Sequence, residues 1–350
     1  MADGGQKGEG AAMTQNAQVV TIDGGLGSFV QGADDASLLQ AALRCGIGLP
    51  YECSSGGCGS CRIQVLEGEA ESLWPDAPGL SPRDRRKGLQ LACQTRALGD
   101  LTIKVSTDAA CAPKVPPKVF GVVLESARDL TRDIREFRFR ASAPAVFLPG
   151  QYAILQLEDG QRRCYSMSNL ANDEGIWEFQ IKRVPGGKAS NALFDMAPGG
   201  RLRVDGPYGL AHLVAESARP VVCIAGGSGL APMISIARAL GADPERQVDF
   251  FYGGRTAADV CGADHLSALP GWQRGLRFHP VVSSPDDPLS AGWTGETGFV
   301  HEVVARGIGD RLADSEIYFA GPPPMAEALQ RLLMIELKVP FGQIHFDRFF

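Results

Sequence analysis

The sequence lacks the marks of several large protein classes. It has no basic excess, because 34 Lys and Arg stand against 40 Asp and Glu for a net charge of −6, and this argues against a general nucleic-acid binder. Its first residues are polar and glycine-rich without an apolar stretch, so they do not predict a secretory signal peptide. No internal repeat is present. From these absences we expect a cytoplasmic protein that binds neither nucleic acid nor membrane.

Long apolar segments are also scarce. One uncharged run, Pro220 to Ala237, has the length of a short membrane span. It contains Gly226-Gly227-Ser228-Gly229 and then Pro232, which favours a strand, a turn and a buried helix over a membrane segment.

Histidine-based metal sites are missing as well. The five histidines are scattered without metal-ligand spacing, and the two Cys-x-His pairs of a Rieske centre are absent. The nine cysteines are an odd number in a chain without a secretion signal, so we do not expect a disulfide framework.

What the sequence does contain is a cysteine motif with plant-type spacing, C-x4-C-x2-C and a distant fourth: Cys53, Cys58, Cys61 and Cys93. This spacing predicts a [2Fe–2S] cluster. Three glycines in the loop can adopt positive φ and bring backbone amides close to the cluster sulfides: Gly56, Gly57 and Gly59. Structural zinc is the alternative, although it usually takes two CxxC-like pairs.

A length of 350 residues suggests two or three domains. Residues 1–16 are small and polar and predict a disordered tail, with Met1 or Met13 as the true start. Residues 17–108 contain a hairpin, a helix capped at Ser37, and strands near the cysteine motif, which is the content of a small β-grasp ferredoxin. Cys45, at the end of that helix, is expected to be a buried packing residue.

The rest of the chain predicts two further domains. Residues 109–117 form a proline-rich, semi-rigid linker, in which Cys111 has no assigned role. Residues 118–215 contain short β-patterned segments between Gly and Pro turns, which predict an antiparallel β-barrel: 120–124, 136–140, 152–157 and 177–182. Residues 216–350 alternate apolar strands with helices, which predicts a doubly wound parallel sheet. The fold class is therefore multidomain, α+β and α/β.

The barrel segment carries four motifs in a characteristic order: Phe147–Tyr152, Arg163-Cys164-Tyr165-Ser166, Gly186-Gly187-x-x-Ser190 and Gly206–Gly209. Taken alone, R-x-Y-S is as well explained by a solvated arginine and a core tyrosine. In this order, however, the motifs resemble the ferredoxin–NADP⁺ reductase superfamily, in which R-x-Y-S binds flavin. The resemblance implies FAD, with Arg163 on its pyrophosphate, Tyr165 on its ring, Ser166 at N5 and Ser190 on a phosphate oxygen.

The third domain carries a matching pair of segments. Gly226 to Met233 follows a strand and opens a helix, where backbone amides and the helix dipole favour a pyrophosphate. Without a GxGxxG fingerprint, a structural turn is the alternative. Gly321 to Met325 follows the last predicted strand, and the resembling family uses this pair of segments for its nicotinamide crevice. The resemblance implies further cofactor-binding residues: Lys182, Gly187, Gly226, Gly227, Gly229, Arg255, Gly321 and Pro322.

The end of the chain, Asp347 to Phe350, resembles the acid-x-aromatic terminus of the same family. The resemblance implies three catalytic residues. Asp347 would border the nicotinamide pocket, Phe349 would cover the flavin face, and Ser166 is the third. Ala320 stands where the family often has Cys, a departure that bears on the efficiency of hydride transfer.

A ferredoxin domain followed by a flavin barrel and a nucleotide domain is the order found in oxygenase reductase components. Segments 49–53, 74–80 and 344–350 look most like the reductases of toluene and alkene monooxygenases, and the first two also resemble the carbazole dioxygenase reductase. The resemblance implies a monomeric enzyme that passes electrons from NADH through FAD and the cluster. The recipients would be a Rieske-type ferredoxin and a diiron hydroxylase component.

The alternative enzymes are the reductase of an aromatic ring-hydroxylating dioxygenase of the carbazole type and the related reductase of deoxysugar synthesis. A redox sensor would need a DNA-binding or signalling element, and none is visible. NADH is expected rather than NADPH, because the resembling reductases use it and Arg255 is the single cation after Tyr252-Gly253-Gly254. A 2′-phosphate site usually gathers more than one donor.

A basic segment, Ser81 to Gly88, lies between the third and fourth cysteines of the motif, and Arg62 and Arg96 lie close to the ligands on either side. Such a segment is either a solvated loop or a docking site for an acidic ferredoxin. Trp74 would supply an apolar contact at such a site.

Overall fold

A computed structural model describes residues 17–348 of the chain. The predicted tail, residues 1–16, and the predicted catalytic Phe349 lie outside the described residues. The described chain forms three main sheets of five, six and six strands and one two-stranded ribbon. The three main sheets confirm the predicted fold class.

The first unit has the β-grasp order β2-β1-β7-β3-β5, in which β1 and β7 are parallel and β3 is antiparallel to its two neighbours. A separate ribbon pairs β4 with β6. The elements are β1 (Gln18–Ile22), β2 (Ser28–Gln31), α1 (Leu38–Arg44), β3 (Arg62–Glu67), β4 (Ala70–Ser72), α2 (Pro82–Arg86), β5 (Leu89–Leu91), β6 (Thr95–Ala97) and β7 (Leu101–Lys104).

Helix α1 begins where the sequence predicts. The Ser37 side chain caps it by accepting a hydrogen bond from Gln40 N, which satisfies one orphan amide of the first turn. The prediction for Cys45 is wrong, because this thiol is exposed. Cys45 is the C-cap residue, one position beyond the run of buried side chains from Leu38 to Leu43, so it does not share their apolar face.

The second unit is an antiparallel sheet of order β11-β10-β13-β8-β9-β12. Its two edges meet through a bridge between Met167 and Phe179, and Ser168 N donates to Glu178 O at 2.8 Å, so the barrel is nearly closed. The elements are β8 (Lys118–Asp129), β9 (Ile134–Ala141), β10 (Tyr152–Gln156), β11 (Arg162–Ser166), β12 (Ile176–Lys182), α3 (Lys188–Asp195) and β13 (Arg201–Tyr208).

The third unit is a parallel sheet of order β17-β16-β15-β14-β18-β19. Strands β14 and β18 are buried along their whole length, as expected where helices cover both faces. The strand order reverses between them, which opens a crevice at their carboxyl ends. The elements are β14 (Val221–Gly226), α4 (Leu230–Leu240), β15 (Val248–Gly254), α5 (Ala263–Ser267), β16 (Leu276–Val282), β17 (Glu296–Thr297), α6 (Val300–Ile308), β18 (Glu316–Gly321), α7 (Pro323–Gln330) and β19 (Ile344–Arg348).

Several short helical turns connect these elements. A π-helical turn, Arg331–Glu336, follows α7. The others are 3₁₀ turns at Ala92–Gln94, Ala109–Cys111, Gly227–Gly229, Ala257–Asp259, Pro288–Ser290, Gly309–Asp314 and Phe341–Gln343. In the part of the chain described, no helix has both the length and the apolar content needed to cross a bilayer.

The ferredoxin unit is joined to the barrel through the buried carboxylate of Asp205, which is 2% exposed. Its oxygens accept hydrogen bonds from Gln40 Nε2 at 2.9 Å and Arg44 Nη2 at 2.5 Å, both on α1. Arg162 Nη2 at 3.2 Å and the Tyr208 hydroxyl at 2.7 Å contribute from the barrel. A buried charge requires such partners, so α1 and β13 share one packed, polar contact.

The barrel is joined to the nucleotide unit by a second polar cluster. Arg238 on α4 donates through Nη1 to Ser168 O at 2.8 Å and to Glu178 Oε2 at 3.0 Å. His265 on α5 lies 3.0 Å from Glu136 Oε2 on β9. The barrel is therefore held on both sides.

Candidate functional site

The four predicted cluster ligands lie together as two pairs. The sulfurs of Cys53 and Cys58 are 3.4 Å apart, and the thiols of Cys61 and Cys93 are hydrogen-bonded to each other. Two pairs of thiols fit a [2Fe–2S] cluster, which is held by four cysteine thiolates. No three His, Cys, Asp or Glu side chains converge as a site for one metal ion in residues 17–348.

Backbone amides of the loop point at these sulfurs. Ser55 N and Cys58 N donate to Cys53 Sγ at 3.4 and 3.3 Å, and Ser60 N donates to Cys58 Sγ at 3.4 Å. The neighbouring Cys58 thiol, Ser55 and the amides of Ser55 and Cys58 lower the pKa of Cys53 against the opposing effect of burial. The hydrogen bond from Cys93 likewise lowers the pKa of Cys61. The same hydrogen bonds, together with burial, raise the pKa of the partners Cys58 and Cys93. In each pair, therefore, one thiol ionises more readily than the other to the thiolate, the form that binds iron.

Two glycines let a covering segment approach the loop. Gly56 and Gly59 have φ of +90° and +77°, and a Cβ on Gly59 would lie 2.3 Å from the Gly79 carbonyl oxygen. Gly79 N in turn donates to Gly56 O at 2.9 Å.

Three of the predicted flavin residues lie on strand β11. The Ser166 hydroxyl is buried, with 6% of the residue exposed, and has no hydrogen-bond partner among the described residues. Burial raises the pKa of Tyr165 to about 12, while Arg163 is exposed. A buried hydroxyl without a partner is costly, so Ser166 fits a site that a polar ligand atom completes.

The predicted phosphate site at α3 differs in one respect from the expectation. The helix starts after Gly187 with no side-chain cap in the described structure, so its first amides are available to a phosphate. The Ser190 hydroxyl, however, accepts from Val184 N at 3.1 Å and donates to Gly187 O at 3.3 Å. In this structure it therefore holds the turn.

The predicted nucleotide residues converge on one cavity of about 520 Å³, which is lined by Lys182, Gly226, Gly227, Arg255 and Pro322 among others. Gly229 and Gly321 are not among the residues that line it. A Cβ on Gly229 would lie 2.0 Å from Ala320 O, and one on Gly321 would lie 2.5 Å from Met325 Cε. These two glycines therefore allow close packing of β14, β18 and α7 and do not themselves line the cavity.

Sequence reasoning missed several residues of the same cavity. Phe299 is 63% exposed at its edge, and its ring stacks on that of His301 with centroids 5.9 Å apart. Asp133, which pairs with Lys182 at 3.2 Å, and Asp259 also line the cavity. The signal that could have found Phe299 is an isolated aromatic after a short edge strand at the start of α6.

The predicted catalytic Asp347 lies near the cluster loop, residues 53–61, which carries the first three predicted ligands. Strand β19 pairs Asp347 with Ala320, but the side chain is not part of the lining of the nucleotide cavity. Burial, followed by the nearby charges of Glu52 and Cys53, raises the pKa of Asp347 to about 7. The neighbouring Arg348 donates through Nη2 to Glu52 Oε2 at 2.6 Å, so the last strand is attached to the ferredoxin unit.

The flavin strand and the cluster loop are in direct contact. Cys164, the variable residue of the R-x-Y-S motif, has its sulfur 3.4 Å from Cys53 O. A cavity of about 620 Å³ lies between the two elements, and its walls include Cys93, Arg163 and Cys164. A predicted cluster ligand and a predicted flavin residue thus share one cavity.

Three family models match successive parts of the chain. A 2Fe-2S iron–sulfur cluster binding domain matches residues 20–98. An oxidoreductase FAD-binding domain matches residues 121–213, and an oxidoreductase NAD-binding domain matches residues 223–331. The three cofactors expected from the sequence are therefore those of the matched domains.

Curated relatives match nearly the whole chain. The ferredoxin–NAD(P)⁺ reductase CarAd of Metapseudomonas resinovorans is 45% identical over 90% of this chain and 94% of its own length. The ferredoxin–NAD⁺ reductase component of the alkene monooxygenase system of Xanthobacter autotrophicus is 41% identical, over 90% and 96%. Among solved structures, the ferredoxin reductase in carbazole 1,9a-dioxygenase superposes with a TM-score of 0.88 at 40% identity, covering 96% of this chain and 99% of that one.

Proposed function

Because the chain belongs to the ferredoxin–NAD(P)⁺ reductase components of oxygenase systems, we propose that it delivers electrons from NADH to a Rieske-type ferredoxin. The observation that supports this role is the spatial order of the three sites. The nucleotide cavity includes Lys182 of the barrel, and the barrel strand β11 contacts the cluster loop through Cys164 and Cys53. The barrel therefore lies between the site that binds the donor and the site that delivers single electrons.

The chain's own residues have distinct tasks in this proposal. FAD, when bound, supplies the conversion of a two-electron hydride into single electrons. Gly226, Gly227 and Pro322 would orient the nucleotide in the crevice, and Arg163 and Ser166 would hold the flavin. The four cysteines would hold the iron, with the loop amides favouring the thiolates.

We propose a toluene- or alkene-type monooxygenase, with a diiron hydroxylase component, as the system served. The likeness of segments 49–53, 74–80 and 344–350 to the reductases of such systems supports it, as does the 41% identity to the alkene monooxygenase component. The second candidate is an aromatic ring-hydroxylating dioxygenase of the carbazole type, which the 45% identity to CarAd favours. A monomeric state and a cytoplasmic location stay predictions.

The test begins with the purified protein. We expect two irons and one FAD per chain and a rhombic EPR signal after reduction by NADH. Cys93→Ser should lose this signal while NADH-to-ferricyanide turnover, which draws electrons at the flavin, is largely retained. Zinc in place of iron would overturn the cluster assignment. Comparing the rates at which Rieske ferredoxins of the two oxygenase classes are reduced then separates the two candidates.

A further inference from the structure

An apolar segment is exposed directly beside the cluster loop. Leu73 and Trp74 are each 43% exposed and also line the cavity between the cluster loop and β11. The Trp74 ring packs on the loop itself, since a Cβ on Gly56 would lie 3.1 Å from Trp74 Cε3. Leu73 N donates to Gln94 O at 2.8 Å, next to Cys93. A tryptophan left exposed at such a place offers apolar area to a partner at low entropic cost.

A basic helix borders this apolar segment. Helix α2 has no buried residue and is closed at its start by a capping box between Ser81 and Asp84. Residues 73–88 carry four cations against two carboxylates, on a chain whose net charge is −6. Arg83 and Arg86 of this helix and its C-cap residue Lys87 are exposed.

Arg85, which the sequence grouped with these cations, has a different task. Its guanidinium donates to Pro75 O at 3.2 Å and to Ala77 O at 2.8 Å. It therefore holds the segment that carries Trp74 in place against α2. Reversing the charge of Arg85 would disturb this brace, so Arg85 is unsuitable for testing an electrostatic role.

We propose that Leu73, Trp74, Arg83, Arg86 and Lys87 form the docking surface for an acidic iron–sulfur electron-acceptor protein. The proposal rests on the proposed function, because it names where the acceptor of that reaction binds. A positive patch on a negative chain steers an acidic partner towards itself and away from the remaining surface. The patch adjoins Gly56 and the turn of Cys93, so a protein seated on it lies beside the cluster loop. Each encounter transfers one electron to the acceptor, with no atom or proton exchanged.

Opposite charge on the acceptor provides the sharpest test. The variant Arg83→Glu/Arg86→Glu/Lys87→Glu leaves Arg85 in place, and Arg201→Glu/Arg274→Glu/Arg331→Glu reverses three exposed cations elsewhere. Each holoenzyme is assayed with NADH and an acidic Rieske-type ferredoxin, with basic cytochrome c, and with ferricyanide. At low salt we expect the first variant to reduce the ferredoxin about tenfold more slowly and cytochrome c faster, with ferricyanide turnover unchanged. The difference should shrink at high salt because screening shortens the range of the charges.

The apolar half of the surface is tested separately. Trp74→Ala should weaken the apparent affinity for the ferredoxin at high salt. The control Leu26→Ala, which truncates an exposed apolar side chain elsewhere, should leave that affinity unchanged. The proposed docking surface would be refuted if both triple variants slowed ferredoxin reduction equally. It would also be refuted if the first variant did not reduce cytochrome c faster than the wild type. If the wild-type protein reduces ferricyanide but no Rieske-type ferredoxin, the proposed partner is wrong. The rates of cytochrome c reduction would then still test the docking surface.

Discussion

The sulfur of Cys164, in the middle of strand β11, lies 3.4 Å from the backbone carbonyl oxygen of Cys53, the first predicted cluster ligand. The adjacent carbonyl, that of Glu52, accepts a hydrogen bond from the Tyr152 hydroxyl at 2.9 Å, and the same hydroxyl lies 2.7 Å from Ser54 Oγ. Strands β10 and β11 therefore hold the start of the cluster loop on both sides of its first ligand. The relative position of flavin strand and cluster loop depends on these contacts.

The first prediction concerns this clamp. Cys164→Ala combined with Tyr152→Phe should slow electron transfer from flavin to cluster about tenfold, because small misplacements of reacting groups are costly. Ferricyanide turnover should not change. Hydrogen exchange of segment 51–60 in the apoprotein should become faster, a readout that needs no cofactor. Cys45→Ala, which removes an exposed thiol of the same unit, is the control, and unaltered exchange in the double variant would refute the clamp.

A second prediction uses two buried serines of the barrel. Ser166 and Ser168 both have hydroxyls without a hydrogen-bond partner among the described residues. Ser166→Ala should lower the rate of flavin reduction by NADH about 10- to 100-fold, as loss of one positioned donor does. Its melting temperature should stay near that of the wild type. Ser168→Ala is the matched control and should retain full activity; equal loss in both variants would count against a specific role for Ser166.

The third prediction is a pH dependence at the contact between barrel and nucleotide unit. Burial by itself would raise the pKa of Glu136, but His265, Gln180 and Arg128 lower it to about 2. A carboxyl whose pKa is lower in the folded state stabilises the fold above its unfolded pKa, here 4.5, and loses this contribution as the pH falls towards 2. Glu136→Gln should therefore cost about 1–3 kcal/mol at pH 7 and much less at pH 3.

Calorimetry of the apoprotein across this pH range measures that difference. Exposed Glu158→Gln serves as the control, with little effect at either pH. A cost for Glu136→Gln that is the same at pH 7 and pH 3 would show that the charge of Glu136 does not contribute.

The fourth prediction concerns the choice of nucleotide. Arg255 Nε lies 3.9 Å from Asp259 Oδ2 in the nucleotide cavity. Although burial opposes it, hydrogen bonds from Thr256 keep the pKa of Asp259 below its usual range, so the carboxylate is charged at neutral pH and would repel a 2′-phosphate. We expect a higher kcat/KM with NADH than with NADPH. Asp259→Asn should raise kcat/KM for NADPH about fivefold, the equivalent of about 1 kcal/mol.

Asp264→Asn, an exposed carboxylate on α5, is the matched control for the nucleotide experiment and should leave the ratio of the two kcat/KM values unchanged. A wild-type preference for NADPH would contradict the argument from Asp259 and Arg255 together.

Structural features that are determined by short segments of the chain could be predicted from the sequence by itself. The C-x4-C-x2-C spacing brings three thiols into one loop, and the apolar run of β14 followed by glycines and α4 determines a strand, turn and helix. The cap at Ser37 and the alternating strands of the barrel are of the same kind. Each depends on neighbours within about ten residues, where backbone geometry leaves few choices.

Features that depend on distant residues were decided by the tertiary structure alone. Cys164 occupies the variable position of its motif, and only the packing of β11 on the cluster loop gives it a contact with Cys53. Arg85 is one of several cations in its segment, and only the folded chain shows that its guanidinium donates to two carbonyls of the Trp74 segment. Asp347 lies near Glu52 and Cys53, because β19 carries it to the contact with the ferredoxin unit, and its predicted role at the nicotinamide pocket stays a prediction. Such contacts arise where separate units bury surface against one another, and the side chains that meet there are not encoded by any local spacing.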